Sequence, residues 1–180
     1  DITPPEGGIT SVTYGYINGA GRYYRGADFQ TGARFLSDNA GDFFLNLSIA
    51  YVDDERRSDT PGDPYVTIME QERRLRSRSY LSFSWTKNDW AAGVSTSRIG
   101  SMNFQSPRWD GKPNTKIDPY YDIGAFVRYD IEDGHYIALS VSNLMDDIPK
   151  KNSDLGWPWF AQYYYSPVGR ELFLTYRYTF

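Results

Sequence analysis

The chain has 180 residues, of which 40% are hydrophobic and 23% charged, and its formal net charge is −4. This composition suits one folded domain and excludes a disordered or collagen-like chain. The chain has no cysteine and a single histidine, His135, so it cannot form disulfides, thiolate metal sites or multi-histidine sites. Its acidic net charge argues against nucleic-acid binding, which needs a basic surface.

Alternating apolar and polar residues predict eight β-strands, because successive side chains of a strand point to opposite faces. The opening DITPPEGG has none of the features of a signal peptide, so we expect the beginning of the protein to have been removed or not included. The alternation is weakest in the first strand. The predicted strands are Ile9–Asn18, Ala27–Phe35, Leu45–Tyr51, Leu81–Trp85, Trp90–Ser97, Tyr120–Tyr129, Tyr136–Asn143 and Leu172–Phe180.

Short and long connections alternate between these strands. SDNAGD, TKND and DIEDGH are short, and the Asp-Gly of the last one suits a tight hairpin. The connections at about residues 54–73, 100–116 and 145–169 are long. Short turns at one end and longer loops at the other are typical of bacterial outer-membrane barrels. The spacing therefore predicts an all-β fold, an antiparallel transmembrane β-barrel with about eight strands in this chain.

Hydropathy is compatible with this fold. A mean hydropathy of −0.60 and the lack of any apolar run of about 18 residues exclude a transmembrane helix. A spanning strand needs only about 9 to 11 residues, apolar at alternate positions. The polar alternates would be costly in a dry core but tolerable in a wet barrel interior; they are Asp28, Gln30, Arg34, Asn46, Asp122, Arg128 and Arg177.

Aromatic residues, 17% of the chain, favour the barrel over a soluble sheet with one wet face, which would also explain the alternation. Several stand at strand ends, where membrane barrels carry aromatic girdles. These are Tyr51, Trp85, Trp90, Tyr121, Tyr129, Tyr178 and Phe180.

The end of the chain, LFLTYRYTF, has the alternating apolar pattern with which many outer-membrane barrels close, and Tyr176, Tyr178 and Phe180 resemble their assembly signal. Upstream, VSNLMDD and SPVGRELFLTYRYTF are similar to the close of TonB-dependent outer-membrane receptors. Asn143, Leu144 and Asp146 match that pattern, with Met145 in place of Phe, and Gly169 and Arg170 match directly. GADFQTGARF and IDPYYDIGAFVRYDI also resemble late strands of this family.

The resemblance implies transport of a scarce nutrient, such as a ferric siderophore, across the outer membrane of a Gram-negative bacterium. Such receptors have about 22 strands and a plugged lumen, so residues 1–180 are expected to be a C-terminal barrel segment without plug or TonB box. The implied partners are the rest of the barrel and plug, the TonB complex, and membrane lipid with lipopolysaccharide. Two alternatives remain open: a self-contained eight-stranded barrel with a structural, adhesive or anchoring role, and a small soluble β-domain that binds ligands.

The last long connection contains the candidate ligand-binding residues Trp157, Trp159, Phe160, Tyr163, Tyr164 and Tyr165, since exposed aromatics on loops commonly recognise ligands. Packing within the loop and at the membrane boundary is the competing explanation. For Asp53, Asp54 and Glu55, salt bridges with neighbouring arginines or contacts with lipopolysaccharide phosphates are favoured over a calcium site. His135 and Asp133 in a short turn do not constitute a catalytic site, so we expect no enzyme, cofactor or metal.

Overall fold

The computed structural model describes residues 21–69, 74–104, 115–132, 134–151, 157, 159, 160, 162 and 164–179. These residues form an all-β structure, and they include no helix that is long and apolar enough to cross a membrane. The strands are β1 (Gly21–Phe35), β2 (Asp42–Ser58), β3 (Val66–Thr67), β4 (Ser77–Lys87), β5 (Trp90–Ile99), β6 (Met102–Phe104), β7 (Thr115–Ile117), β8 (Tyr120–Glu132), β9 (His135–Ser142) and β10 (Glu171–Tyr178).

Seven long strands form one antiparallel sheet in the order β1-β2-β4-β5-β8-β9-β10, with β3 paired to the end of β2. Consecutive long strands are neighbours throughout, as in a meander. The sheet is open: within the described residues, β1 and β10 are its two edges and do not pair with each other. The short ribbon β6–β7 continues the register of β5 and β8, since Met102 pairs with Ile117 just beyond the pair Ile99–Tyr120.

Seven of the eight predicted strands are confirmed, and the first, Ile9–Asn18, lies outside the described residues. The three short turns and the three long connections fall at opposite ends of the sheet, as the spacing predicted. The largest difference is β2, which runs to Ser58 instead of ending near Tyr51. A bulge explains it: Arg25 pairs with Asp54 but Gly26 pairs with Val52, so one extra residue interrupts the alternation.

The register places most of the apolar side chains of the seven long strands on one face of the sheet, called here the apolar face. For example, Leu45 stands opposite Phe83, Phe83 opposite Val94, and Val94 opposite Ala125. The other face, the polar face, carries mostly small or polar side chains, such as Ser82 opposite Ser95 and Ser95 opposite Gly124. A strand has a period of two, so this separation follows directly from the alternation in the sequence.

Among the described residues, the buried apolar side chains are Ile68, Met69, Met102 and Tyr165, all in the long connections or in β6. The sheet itself contributes none, so it has no packed interior of its own. Its cohesion comes from the backbone ladders and cross-strand pairs. One such contact is on the polar face, where a Cβ added to Gly93 would lie 2.6 Å from the ring of Phe126, so glycine allows that ring to lie against the sheet.

Candidate functional site

The long connections meet at one end of the sheet, called here the loop end, because neighbouring strands are antiparallel. Residues 100–119 join β5 to β8, and residues 143–170 join β9 to β10. Since β8 and β9 are adjacent, these two connections contact each other. The candidate site lies between them.

A tight turn at Asn143–Asp147 ties this end together. Asn143 is 5% exposed and has a φ of 48°, in the left-handed region that asparagine tolerates. Its amide nitrogen donates to the carbonyl oxygen of Asp147 at 2.7 Å and to that of Val168 at 3.4 Å, and its Oδ1 accepts from the N–H of Asp147 at 2.9 Å. Its own N–H donates to Asp122 Oδ1 at 3.1 Å. One residue thus connects β8, the turn and the approach to β10.

Asp146 makes the second link of this turn. Its Oδ1 accepts from the N–H of Arg170 at 2.7 Å, directly before β10 begins. A Cβ added to Gly169 would lie 2.5 Å from the same oxygen, so any other residue there would displace this carboxylate. Hydrogen bonds therefore join the segments VSNLMDD and SPVGR, the two motifs that the sequence analysis identified.

Aromatic side chains form the interior of the loop end. Tyr165 is buried against Met102, and its ring meets the ring of Tyr120 edge-on, with 5.1 Å between centroids. The hydroxyl of Tyr120 donates to the carbonyl oxygen of Asp147 at 3.1 Å, which joins the cluster to the Asn143 turn. Burial raises the pKa of Tyr165 above its usual value.

A cavity of about 290 Å³ lies beside this cluster. Its aromatic side is formed by Tyr120, Phe160 and Tyr165, and its lining also includes three lysines and two aspartates. No ion pair joins these charged groups within the part of the chain that the structure describes. The volume is at the small end of the range for ligand pockets. The lining residues are Lys116, Ile117, Asp118, Pro119, Tyr120, Asp147, Ile148, Pro149, Lys150, Lys151, Phe160 and Tyr165.

The predicted ligand-binding residues divide into two groups. Phe160 and Tyr165 line the cavity, and Tyr164 packs against the same cluster. Trp157 and Trp159 are exposed, with 79% and 45% of their surface accessible. Tyr163 lies outside the described residues.

Sequence reasoning missed the charged half of the cavity. Lys150 and Lys151 directly follow Pro149 in the same long connection as the aromatic residues, and this juxtaposition was the available signal. Lys116 arrives from the other connection through the pairing of β6 with β7. That contact was not readable from the local sequence.

The predicted salt bridges at Asp53–Glu55 are present. Glu55 is 5% exposed and pairs with Arg22, with Arg74 Nε at 3.7 Å from its other oxygen. Asp53 pairs with Arg25 at 2.5 Å, and Asp54 pairs with Arg56 at 2.7 Å. The pairs of Glu55 with Arg22 and of Asp53 with Arg25 join the outer parts of β1 and β2, whereas the pair of Asp54 with Arg56 lies within β2.

At the opposite end of the sheet, the turn end, the predicted assembly-signal residues Tyr176 and Tyr178 lie on the apolar face beside His135. The hydroxyl of Tyr176 is 2.8 Å from His135 Nδ1, and the ring of Tyr178 is 4.2 Å from the imidazole, between centroids. Phe180 and Asp133 lie outside the described residues. His135 therefore belongs to an aromatic group on the surface of the sheet.

Comparison with known proteins places the chain in no family. A scan against protein-family models and a search of the curated proteins each give no match. The similarity of residues 141–147 and 166–180 to TonB-dependent receptors remains an expectation from the sequence.

Proposed function

We propose that this chain forms part of the wall of a transmembrane β-barrel in a bacterial outer membrane, within a TonB-dependent receptor that takes up a scarce nutrient such as a ferric siderophore. The proposal has two levels. The membrane wall is supported by the geometry of the sheet. The receptor is supported by the motif resemblance together with the cavity at the loop end.

The observation that carries the membrane wall is the exposure of the apolar face. Leu172 and Leu174 of β10 are 70% and 73% exposed. Every other long strand also presents large apolar side chains on this face that are more than a third exposed, among them Phe29, Leu45, Ile49, Leu81, Phe83, Val94, Val127 and Leu139. A water-soluble monomer rarely exposes so continuous an apolar surface. Lipid chains would cover it at no cost.

The length of the apolar face also fits a membrane. Aromatic residues on it recur eight positions apart, with Phe43 and Tyr51 on β2 and Tyr129 and Tyr121 on β8. At about 3.3 Å per residue this spacing is about 26 Å along a strand. A tilt of about 40° reduces it to about 20 Å, near the apolar band of outer-membrane barrels. Trp85 and Trp90 extend the aromatic band at the turn end, and Trp90 packs on Tyr129 at 4.7 Å between ring centroids.

The polar face fits the lumen of a wide barrel. It holds a shallow trough of about 590 Å³, lined in part by the hydroxyls of Ser82, Ser84, Ser95, Ser97, Ser140 and Ser142. A narrow closed barrel would fill its interior with larger side chains. Within the described residues, the outer edges of β1 and β10 are unpaired. Unpaired backbone groups are costly in lipid and require further strands. We infer that the remainder of the receptor barrel supplies them.

The nutrient-binding level rests on the loop end. On this orientation the long connections face the cell exterior, as in other outer-membrane barrels. The cavity beside Phe160 and Tyr165 then meets incoming ligands first. Energy coupling to the TonB complex and a moving plug would be supplied by other parts of the receptor.

The membrane wall is tested with paired spin labels. Because the chain has no cysteine, Val94→Cys and Ser95→Cys each introduce one labelling site on the central strand β5, on opposite faces. In liposomes, the label at position 94 should be reached by oxygen dissolved in lipid, and the label at position 95 by a water-soluble nickel complex. Equal access of the nickel complex to both labels would contradict a lipid-facing wall.

The receptor is tested by uptake of radiolabelled ferric siderophores into cells that carry or lack the gene. We expect that deletion of the gene abolishes uptake of one siderophore class and that the intact gene restores it. If deletion changes the uptake of no scarce nutrient that is tested, while the label at position 94 is still in lipid, the structural or anchoring barrel is favoured instead.

A further inference from the structure

One guanidinium on the apolar face has no carboxylate partner within the described residues. Arg98 follows Trp90, Val94 and Thr96 on that face of β5 and stands opposite Tyr121 of β8. Its Nε donates to the hydroxyl of Tyr121 at 3.2 Å, and its Nη1 donates to Ser77 Oγ at 3.0 Å. The guanidinium carbon lies 5.9 Å from the centre of the Tyr121 ring. The group is thus held in place by neutral oxygens, which do not offset its charge.

Several other arginines of the sheet do have a carboxylate partner. Arg25 and Arg56, also at the loop end, pair with Asp53 and Asp54. Arg128 pairs with Asp130 at 2.5 Å. A guanidinium has five N–H donors, and the two contacts of Arg98 use only part of them. Its charge and remaining donors are available to an anion from outside the chain.

The position of Arg98 identifies that anion. Arg98 is eight positions from Trp90 on the same face, so it lies at the membrane boundary opposite the Trp90 aromatic band. Tyr121 beside it is a residue type enriched at that boundary. Lipid phosphates occupy this depth, and a planar guanidinium binds phosphate through two parallel hydrogen bonds.

We propose that Arg98, oriented by Tyr121 and Ser77, binds the phosphate of a lipid headgroup in the leaflet on the loop side. This site rests on the proposed membrane wall. It adds a specific lipid contact on the outer surface of the barrel, separate from the cavity between the long connections.

The test compares two lipids that differ only in the phosphate. The protein in uncharged detergent micelles is titrated with phosphatidic acid or with diacylglycerol of the same acyl chains, and bound lipid is counted by native mass spectrometry. Wild-type protein should retain one phosphatidic acid in preference to diacylglycerol. Arg98→Gln should weaken this retention roughly tenfold or more, Arg98→Lys less, and Arg128→Gln, whose guanidinium already has a carboxylate partner, should leave it unchanged.

Three results would overturn the inference. Retention of phosphatidic acid by Arg98→Gln at the wild-type level would exclude Arg98 as the site, and effective competition by inorganic phosphate would indicate a site for free anions. If Arg98→Gln fails to fold, Tyr121→Phe replaces it, because loss of the orienting hydroxyl should also weaken retention. The third contradicting result is retention of phosphatidic acid by Tyr121→Phe at the wild-type level. The spin label at position 94 separates the two proposals. If that label is in water, the membrane wall is refuted. If the label is in lipid and Arg98→Gln still binds phosphatidic acid as the wild type does, only the Arg98 site is refuted.

Discussion

Asn143 is the residue on which the loop end depends most. Asn143→Ala removes the side-chain bonds to Asp147 and Val168, so the N–H of Asp147 and the carbonyl oxygen of Val168 lose these partners. It also places alanine at a positive φ. We expect a loss of about 2–4 kcal/mol in the free energy of unfolding, measured by chemical denaturation in micelles.

The matched control is Asn46→Ala, at an exposed asparagine within β2. Its effect should stay within about 0.5 kcal/mol. Equal losses for the two variants would show that the bonds of Asn143 do not stabilise the turn, and that the hydrogen-bonded link between β8 and β10 is incidental.

At the scale of one strand, β9 offers adjacent positions on opposite faces. Leu139→Arg places a charge in the middle of the apolar face, whereas Ser140→Arg places it on the polar face, where the trough can accept a long side chain. In a bilayer, the first should cost about 2–4 kcal/mol and the second close to nothing. The measurement is reversible unfolding of each variant from lipid vesicles. Similar costs at the two positions would indicate that neither face meets lipid.

The strands were the predictable part of this protein, because the alternation of Leu45, Leu47 and Ile49 depends only on the local sequence. The extension of β2 beyond Tyr51 was not predictable, since the bulge at Asp53 breaks the period and distant arginines stabilise the outer part of the strand. The site was only half predictable. Phe160 and Tyr165 come from one aromatic stretch, but the cavity also needs Lys116, about fifty residues earlier in the chain.

At the scale of the whole molecule, the sheet formed by the described residues makes a prediction about its edge at β10. In the isolated chain in micelles, the backbone amides of β10 that point away from β9 should exchange hydrogen rapidly. Amides of β4, β5 and β8, which have a strand on each side, should exchange slowly. Hydrogen exchange followed by mass spectrometry resolves these segments. Slow exchange along this edge would mean that the chain closes into a small barrel by itself.

The separation of the two faces also limits how a sequence of this kind evolves. Inserting one residue near the middle of β8 would move every later side chain of that strand to the opposite face, so that Val127 would point to the polar side and Phe126 or Arg128 to the apolar side. Inserting two residues would preserve the alternation. Among descendants of this sequence, the strands should therefore change by substitution or by insertions and deletions of even length, while gaps of odd length should be confined to the connections and to bulges such as the one at Asp53.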